Sequence, residues 1–158
     1  MDRIWAPWRM DYIESSKKPG CVFCEKSQSK KDKKNLVLYR GTETFILMNL
    51  YPYTNGHLMI APYLHTSDVN ELAEITNKEI MQFAKDCFNI LKSKLGAEGF
   101  NFGANLGKVA GAGIDQHIHY HIVPRWSGDT NFMPVISDTK IMIEKINKTG
   151  ERLKPEFS

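Results

Sequence analysis

Three of the five histidines in this 158-residue chain stand at alternate positions of one short run, QHIHYHIVPRW, residues 116–126. Imidazole titrates closest to neutral pH of all side chains and also ligates metals, so the row is a set of possible bases, nucleophiles or ligands. The spacers Ile118, Tyr120 and Ile122, with Val123, are β-branched, aromatic or apolar, and Pro124 ends the run. That pattern predicts a strand of period two. Alternation then puts His117, His119 and His121 on one face, roughly 7 Å apart in succession, and turns the apolar spacers to a core. A polyhistidine tag would be contiguous and terminal, and lone strand histidines carry no such pattern.

Immediately upstream, GKVAGAG (107–113) contains Gly107, Gly111 and Gly113. Glycines let backbone approach a ligand closely and aim its N–H groups at an anion. The Walker pattern G-x-x-x-x-G-K-[ST] is missing, and a lone glycine-rich loop says little. Beside an imidazole row it says more: a phosphate cradled next to a nucleophile. A neutral imidazole, with an ordinary pKa of about 6.5, attacks phosphorus at pH 7 without further activation. It needs one nitrogen held protonated and the other aimed in line with the leaving group. His119, flanked by the other two, is the candidate nucleophile by position.

Two of the three cysteines form Cys21-Val-Phe-Cys24, which in a reducing compartment reads as a metal half-site or a redox pair rather than a disulfide framework. Cys87 falls on the apolar stripe of a helix and is expected to be a buried thiol.

The elements that must position these groups are legible in outline. NLVLYR (35–40) and ETFILMN (43–49) read as a hairpin through Gly41, GHLMIAP (56–62) as a third strand and FNFGANL (100–106) as a fourth. Between them lies the clearest helix, with Thr76 and Glu79 as a capping box, Ile80, Phe83, Ala84, Cys87, Ile90 and Leu91 at helical spacing, and Gly96 at its end. A helical segment over 138–153 is expected to be interrupted by Gly150. With the histidine strand, the order predicts an α+β fold: a mostly antiparallel five-stranded sheet with one long helix and a C-terminal helical segment. The 42% hydrophobic content suits one compact domain over 1–158.

The net charge of +3 is partly local, since Lys26, Lys30, Lys31, Lys33 and Lys34 crowd one polar stretch. No aromatic residues interleave with them, so a solvated loop is expected rather than a nucleic-acid contact. MDRIWAPWRM lacks the features of a signal peptide, and no stretch is long enough to cross a bilayer, so the expected location is the cytoplasm.

H117-I-H119-Y-H121-I-V resembles the signature of the histidine triad (HIT) family. N55-G-H57-L-M-I-A-P resembles the family's fourth-histidine strand, and M48-N49 its ribose-binding position. The amino-terminal WAPWRMDYI and the tail V-P-R-W-S-G-D-T-N-F-M-P-V look like the branch containing bacterial diadenosine tetraphosphate phosphorylases. The resemblance, which covers about residues 21–126, implies a HIT-like fold, a dinucleoside polyphosphate as nucleotide substrate, and a homodimer. It further implies that His119 forms a nucleotidyl-histidine intermediate, that His121 and His57 hold the phosphate and the neighbouring imidazole, that Asn49 meets the ribose, and that Asn105 meets the phosphate or leaving group. Zinc-bearing members use a Cys-x-x-Cys and two histidines, which here would be Cys21, Cys24, His65 and His117. Four protein ligands leave no open position, so that zinc would be structural.

One departure is visible. Ile114 stands where many members place a Ser or Thr hydroxyl, so the backbone N–H groups of Gly111, Ala112 and Gly113 are expected to hold the phosphate instead. Arg125 and the pair Thr130-Asn131 are expected to hold inorganic phosphate as acceptor, which favours a phosphorylase. The alternatives are a hydrolase of the same family releasing AMP and a nucleotide-binding module without turnover. A DNA-end-processing relative would need an added zinc finger, and no cysteine or histidine follows His121.

Overall fold

The computed structural model describes residues 20–129, 142 and 144–157. Two short helices, α1 (Val22–Gln28) and α2 (Asp32–Asn35), lead into strands β1 (Val37–Arg40), β2 (Thr44–Met48) and β3 (Leu58–Pro62). The long helix α3 (Glu74–Leu95) follows, then β4 (Gly99–Ala104), β5 (Tyr120–Arg125) and α4 (Ile146–Leu153). The five strands form one antiparallel sheet in the order β1-β2-β3-β5-β4. This is the expected α+β fold. Among the described residues, no helix is long and apolar enough to cross a membrane.

Strands β2 and β3 are buried along their whole length, and alternation divides their side chains between two cores. Ile46, Met48, Leu58, Ile60 and Ile122 face α3, where Ile80, Ala84, Cys87 and Leu91 meet them. Phe45, Leu47, Met59 and Ala61 face the other way and pack with Phe23 of α1 and Val37. Because Met59 pairs with His121 and Leu58 with Ile122, the same alternation delivers His121 to the α1 face. Cys87 is fully buried, as its place on the stripe predicts, and burial pushes its thiol pKa well up.

Several local expectations need correction. Helix α3 starts two residues before Thr76, with Ala73 at its N-cap, so Thr76 and Glu79 do not form a capping box. Their side chains turn to the β1–β2 connection instead. Glu79 accepts from the Thr42 and Glu43 N–H groups, both at 2.9 Å, and from the Thr44 hydroxyl at 2.7 Å, while Thr76 donates to Glu43 at 3.2 Å. The far end agrees with expectation: Gly96 takes the left-handed conformation at φ 63° that closes a helix. Gly150 does not interrupt α4. It is buried inside it, where a Cβ would come within 3.0 Å of the Met48 sulfur, so its smallness serves helix-to-sheet contact.

The lysine-rich stretch is not a plain loop either, since α1 and α2 run through it. Arg40 explains their order. Its Nη1 donates to the Ser27 carbonyl at 2.6 Å, its Nη2 to the Lys26 and Ser29 carbonyls at 2.9 and 2.6 Å, and its guanidinium pairs with Asp32 at 2.7 Å. One β1 side chain thus satisfies the carbonyls that end α1.

Candidate functional site

Strand β5 begins at Tyr120, so of the three alternating histidines only His121 lies in the ladder. The shorter strand has a cause in β3, which ends at Pro62, a residue without an N–H. Beyond the Ile60–Tyr120 pair, the Ile118 N–H donates to the Thr66 carbonyl at 2.7 Å, and His117 Nε2–H donates to the Pro62 carbonyl at 2.9 Å. His117 therefore turns away from the row, while His119 and His121 stay together with ring centroids 4.9 Å apart.

Hydrogen bonds fix the tautomers in sequence. The backbone N–H of Tyr53 donates to His57 Nδ1 at 3.1 Å, and the Asn49 amide nitrogen lies 3.3 Å from the same atom. Neutral His57 must then carry its proton on Nε2, which donates to His121 Nδ1 at 2.9 Å. Neutral His121 in turn carries its proton on Nε2. His119 is set the opposite way: its Nδ1–H donates to the His117 carbonyl at 2.9 Å, leaving the Nε2 lone pair outward. Burial draws both pKa values down, His121 to about 4 with a contribution from His119, so both rings are neutral at pH 7. A lone pair and an N–H donor thus stand side by side.

They open on a pocket of about 330 Å³ whose lining also includes Asn49, Asn105, Gly111, Gly113 and Ile114. The structure therefore gathers most of the residues singled out from the sequence. His57 is fully buried behind His121 and acts only through it. Asn49 uses Oδ1 to accept the Tyr51 N–H at 3.0 Å while still lining the pocket. The glycine loop departs from expectation, because Lys108–Ala110 forms a tight turn. The Gly111 N–H donates to the Lys108 carbonyl and the Ala112 N–H to the Gly107 carbonyl, at 2.9 and 3.3 Å. Of the three N–H groups expected to bind phosphate, these two are taken, and Gly113 makes no such bond among the described residues.

Arg125 also departs from expectation. Its Nε and Nη2 hold Asp129 at 2.6 and 2.9 Å, its Nη1 donates to Asn101 at 3.0 Å, and it does not line the pocket. Thr130 and Asn131 lie outside the described residues.

The rest of the pocket was not read from the sequence. Val22, Phe23, Leu47, Leu50 and Met59 make it largely apolar, with Lys26, Tyr51 and Tyr53 among its polar members. The Phe23 ring lies 4.6 Å from that of His119, and the Tyr53 ring stacks 4.9 Å from that of His57. Leu47 and Met59 could have been found by counting strand parity back from His121. Phe23 and Lys26 could not, since α1 is too short to show a periodicity.

On the other side of Phe23, Cys21, Cys24, His65 and His117 place their ligand atoms within 4.8 Å of one another. Cys21 Sγ and His117 Nδ1 are 3.3 Å apart, as are Cys24 Sγ and His65 Nδ1, and His65 Nδ1 and His117 Nδ1. Ligands about 2.0–2.3 Å from a tetrahedral ion lie roughly 3.3–3.8 Å from one another, so the donor set fits zinc in kind and in spacing. The Pro62 carbonyl, holding His117 Nε2–H, leaves Nδ1 as the ligating atom.

A family model described as HIT domain matches residues 30–128. An AP-4-A phosphorylase of Mycobacterium tuberculosis is 35% identical over 167 residues, which cover 100% of this chain and 85% of that protein. An adenosine 5'-monophosphoramidase of Schizosaccharomyces pombe is 24% identical over 134 residues, covering 85% of this chain and 96% of that protein. Among solved structures, a zinc-bound histidine triad family protein from Mycobacterium smegmatis superimposes with a TM-score of 0.67 at 23% identity, covering 87% of this chain and 92% of that one.

Proposed function

The chain belongs to the histidine triad (HIT) family, and from that premise we propose that it is a nucleotidyl transferase acting on dinucleoside polyphosphates, with diadenosine tetraphosphate as a substrate and His119 as nucleophile. The observation that carries this reading is the opposed setting of the two rings: His119 Nε2 offers a lone pair, and beside it His121 offers Nε2–H. His119 Nε2 bonds to the α-phosphorus, and the bond from that phosphorus to the rest of the phosphate chain breaks, releasing ATP. His121 donates to the oxygen on which charge develops, with His57 holding its ring in place. The apolar walls seat the base, and Asn49 meets the ribose. Asn105 and the Gly113 N–H meet the phosphate. Water is kept from the buried lone pair until the acceptor enters.

The acceptor we favour is inorganic phosphate, which gives ADP. The support is the full-length likeness to an AP-4-A phosphorylase. A second reading, water as acceptor giving AMP, is favoured by one observation: the Arg125 guanidinium is held by Asp129 rather than turned to the pocket. Turnover of diadenosine tetraphosphate with and without inorganic phosphate separates the two. ADP and ATP, at a rate that rises with phosphate, is the expected result. AMP and ATP at a phosphate-independent rate would establish the hydrolase.

Zinc, held by Cys21, Cys24, His65 and His117, is proposed as a structural ion that fixes the backbone on which His119 stands. A homodimer is the proposed assembly, on the family resemblance.

A further inference from the structure

The five lysines between 26 and 34 differ in one respect: four are exposed, and Lys26 alone is half-buried. It lines the nucleotide pocket from α1, one turn along from Val22 and Phe23. Both of its ends are held. Its carbonyl accepts from Arg40 at 2.9 Å, and its Nζ donates to the Asn35 carbonyl at 3.0 Å. An ammonium has three N–H donors and no acceptor, so two donors remain after Asn35 is satisfied. No carboxylate forms an ion pair with it among the described residues. It is a fixed cation, partly removed from water, facing a cavity.

Its position says which part of a nucleotide it meets. Asn35 lies two residues before β1, an edge strand, whereas His119 precedes and His121 lies in β5, three places along the sheet. Strands spaced about 4.8 Å apart put roughly 14 Å between the two ends. A nucleotide with its phosphorus at His119 that lies across β3 and β2 brings its base to the Lys26 end.

Resting on the nucleotide reading above, we propose that Lys26 selects the base, its ammonium donating to O6 and N7 of a 6-oxopurine so that guanine is seated in preference to adenine. Guanine presents two acceptors on that edge, whereas adenine pairs one acceptor with an amino donor. A group that can only donate meets two partners in the first and one partner and a competing donor in the second.

A mixed substrate with one adenosine and one guanosine joined by four phosphates tests this by internal competition. With guanine seated, the guanosine phosphorus bonds to His119 Nε2 and ATP departs. With adenine seated, GTP departs. The leaving group is the same whether phosphate or water then takes the nucleotidyl group, so the readout does not depend on the acceptor. The expected ATP to GTP ratio is about ten or more, falling close to one in Lys26→Met and staying high in Lys26→Arg, which keeps a pair of donors. A ratio near one in the unaltered protein, or an unchanged ratio in Lys26→Met, overturns the proposal. Titration of GMP and AMP reads the same preference without turnover. Tighter GMP binding supports it, equal affinities sink base selection alone, and binding of neither sinks the nucleotide reading with it.

Discussion

His117 and His119 are two residues apart and both buried, yet they are anchored through opposite ring nitrogens. His117 gives its Nε2–H to the Pro62 carbonyl and turns Nδ1 to two thiols and a third imidazole. His119 gives its Nδ1–H to the carbonyl of His117 and turns Nε2 to the pocket. One ring completes a closed tetrahedral donor set; the other keeps an open lone pair. The chemistry of each is decided by which nitrogen a backbone carbonyl holds, and the residue type alone does not determine it.

The sharpest way to break this contrast is His119→Asn. Asparagine fills the space and hydrogen-bonds but cannot form the covalent bond, so kcat falls by several orders of magnitude while nucleotide affinity stays within about tenfold. Near-full activity would remove His119 from the nucleophile role. On the closed side, Cys24→Ser or His65→Ala is expected to lower zinc from about one per chain to a small fraction. Because ligation contributes to folding, the Tm should drop by more than about 10 °C. Elemental analysis with thermal melting checks both, and full zinc in His65→Ala would exclude that ligand.

A third measurement isolates the open side by pH. Burial, with a contribution from His119, holds His121 down to about 4, below its unfolded value near 6.5. Above pH 6.5 the ring is neutral in both states and contributes no pH dependence. As pH falls from 6.5 to 4 the unfolded chain binds a proton that the fold refuses, so stability falls, by roughly 3 kcal/mol in total. Urea unfolding at pH 7 and 4.5 should show a smaller loss in His121→Gln than in the unaltered protein; equal losses would contradict the assignment. Finally, His121→Ala should lower kcat by about 10²-fold, the cost of one well-placed donor. A loss as large as that of His119→Asn would mean that the two rings act as one unit.

The strands were legible because their signals are local: TFILM and LMIAP are short apolar runs bounded by turn residues, and the alternation of QHIHYH carries through to which face His121 occupies. The closing turn at Gly96 was legible for the same reason. What escaped was set by partners distant in sequence. Thr76 and Glu79 match a capping box by spacing, but the hairpin turn across the helix takes their side chains. The glycines of 107–113 promise N–H groups for an anion, but a tight turn consumes two of them within the loop itself. The clustered lysines looked uniformly solvated until Arg40, outside the cluster, folded α1 and turned Lys26 inward. The histidines, cysteines and asparagines of the site could be nominated from the sequence, whereas Lys26, Tyr51 and Tyr53 could not. The apolar walls that complete the pocket come from four separate segments, and only the fold brings them together.

Helix α1 has seven residues, too few to persist in water on its own. It is clamped at one end by Arg40 and carries Cys21 and Cys24 in and just before its first turn at the other, with Phe23 buried between them. Val22 and Lys26, four positions apart, share one face of this clamped segment and belong to neither clamp through their side-chain bulk. For protein engineering, that makes them a two-position dial: a library varying only these residues would reshape one wall of the cavity while leaving the Arg40 and cysteine supports intact, whereas grafting the helix alone into another scaffold would transplant a shape with nothing to hold it.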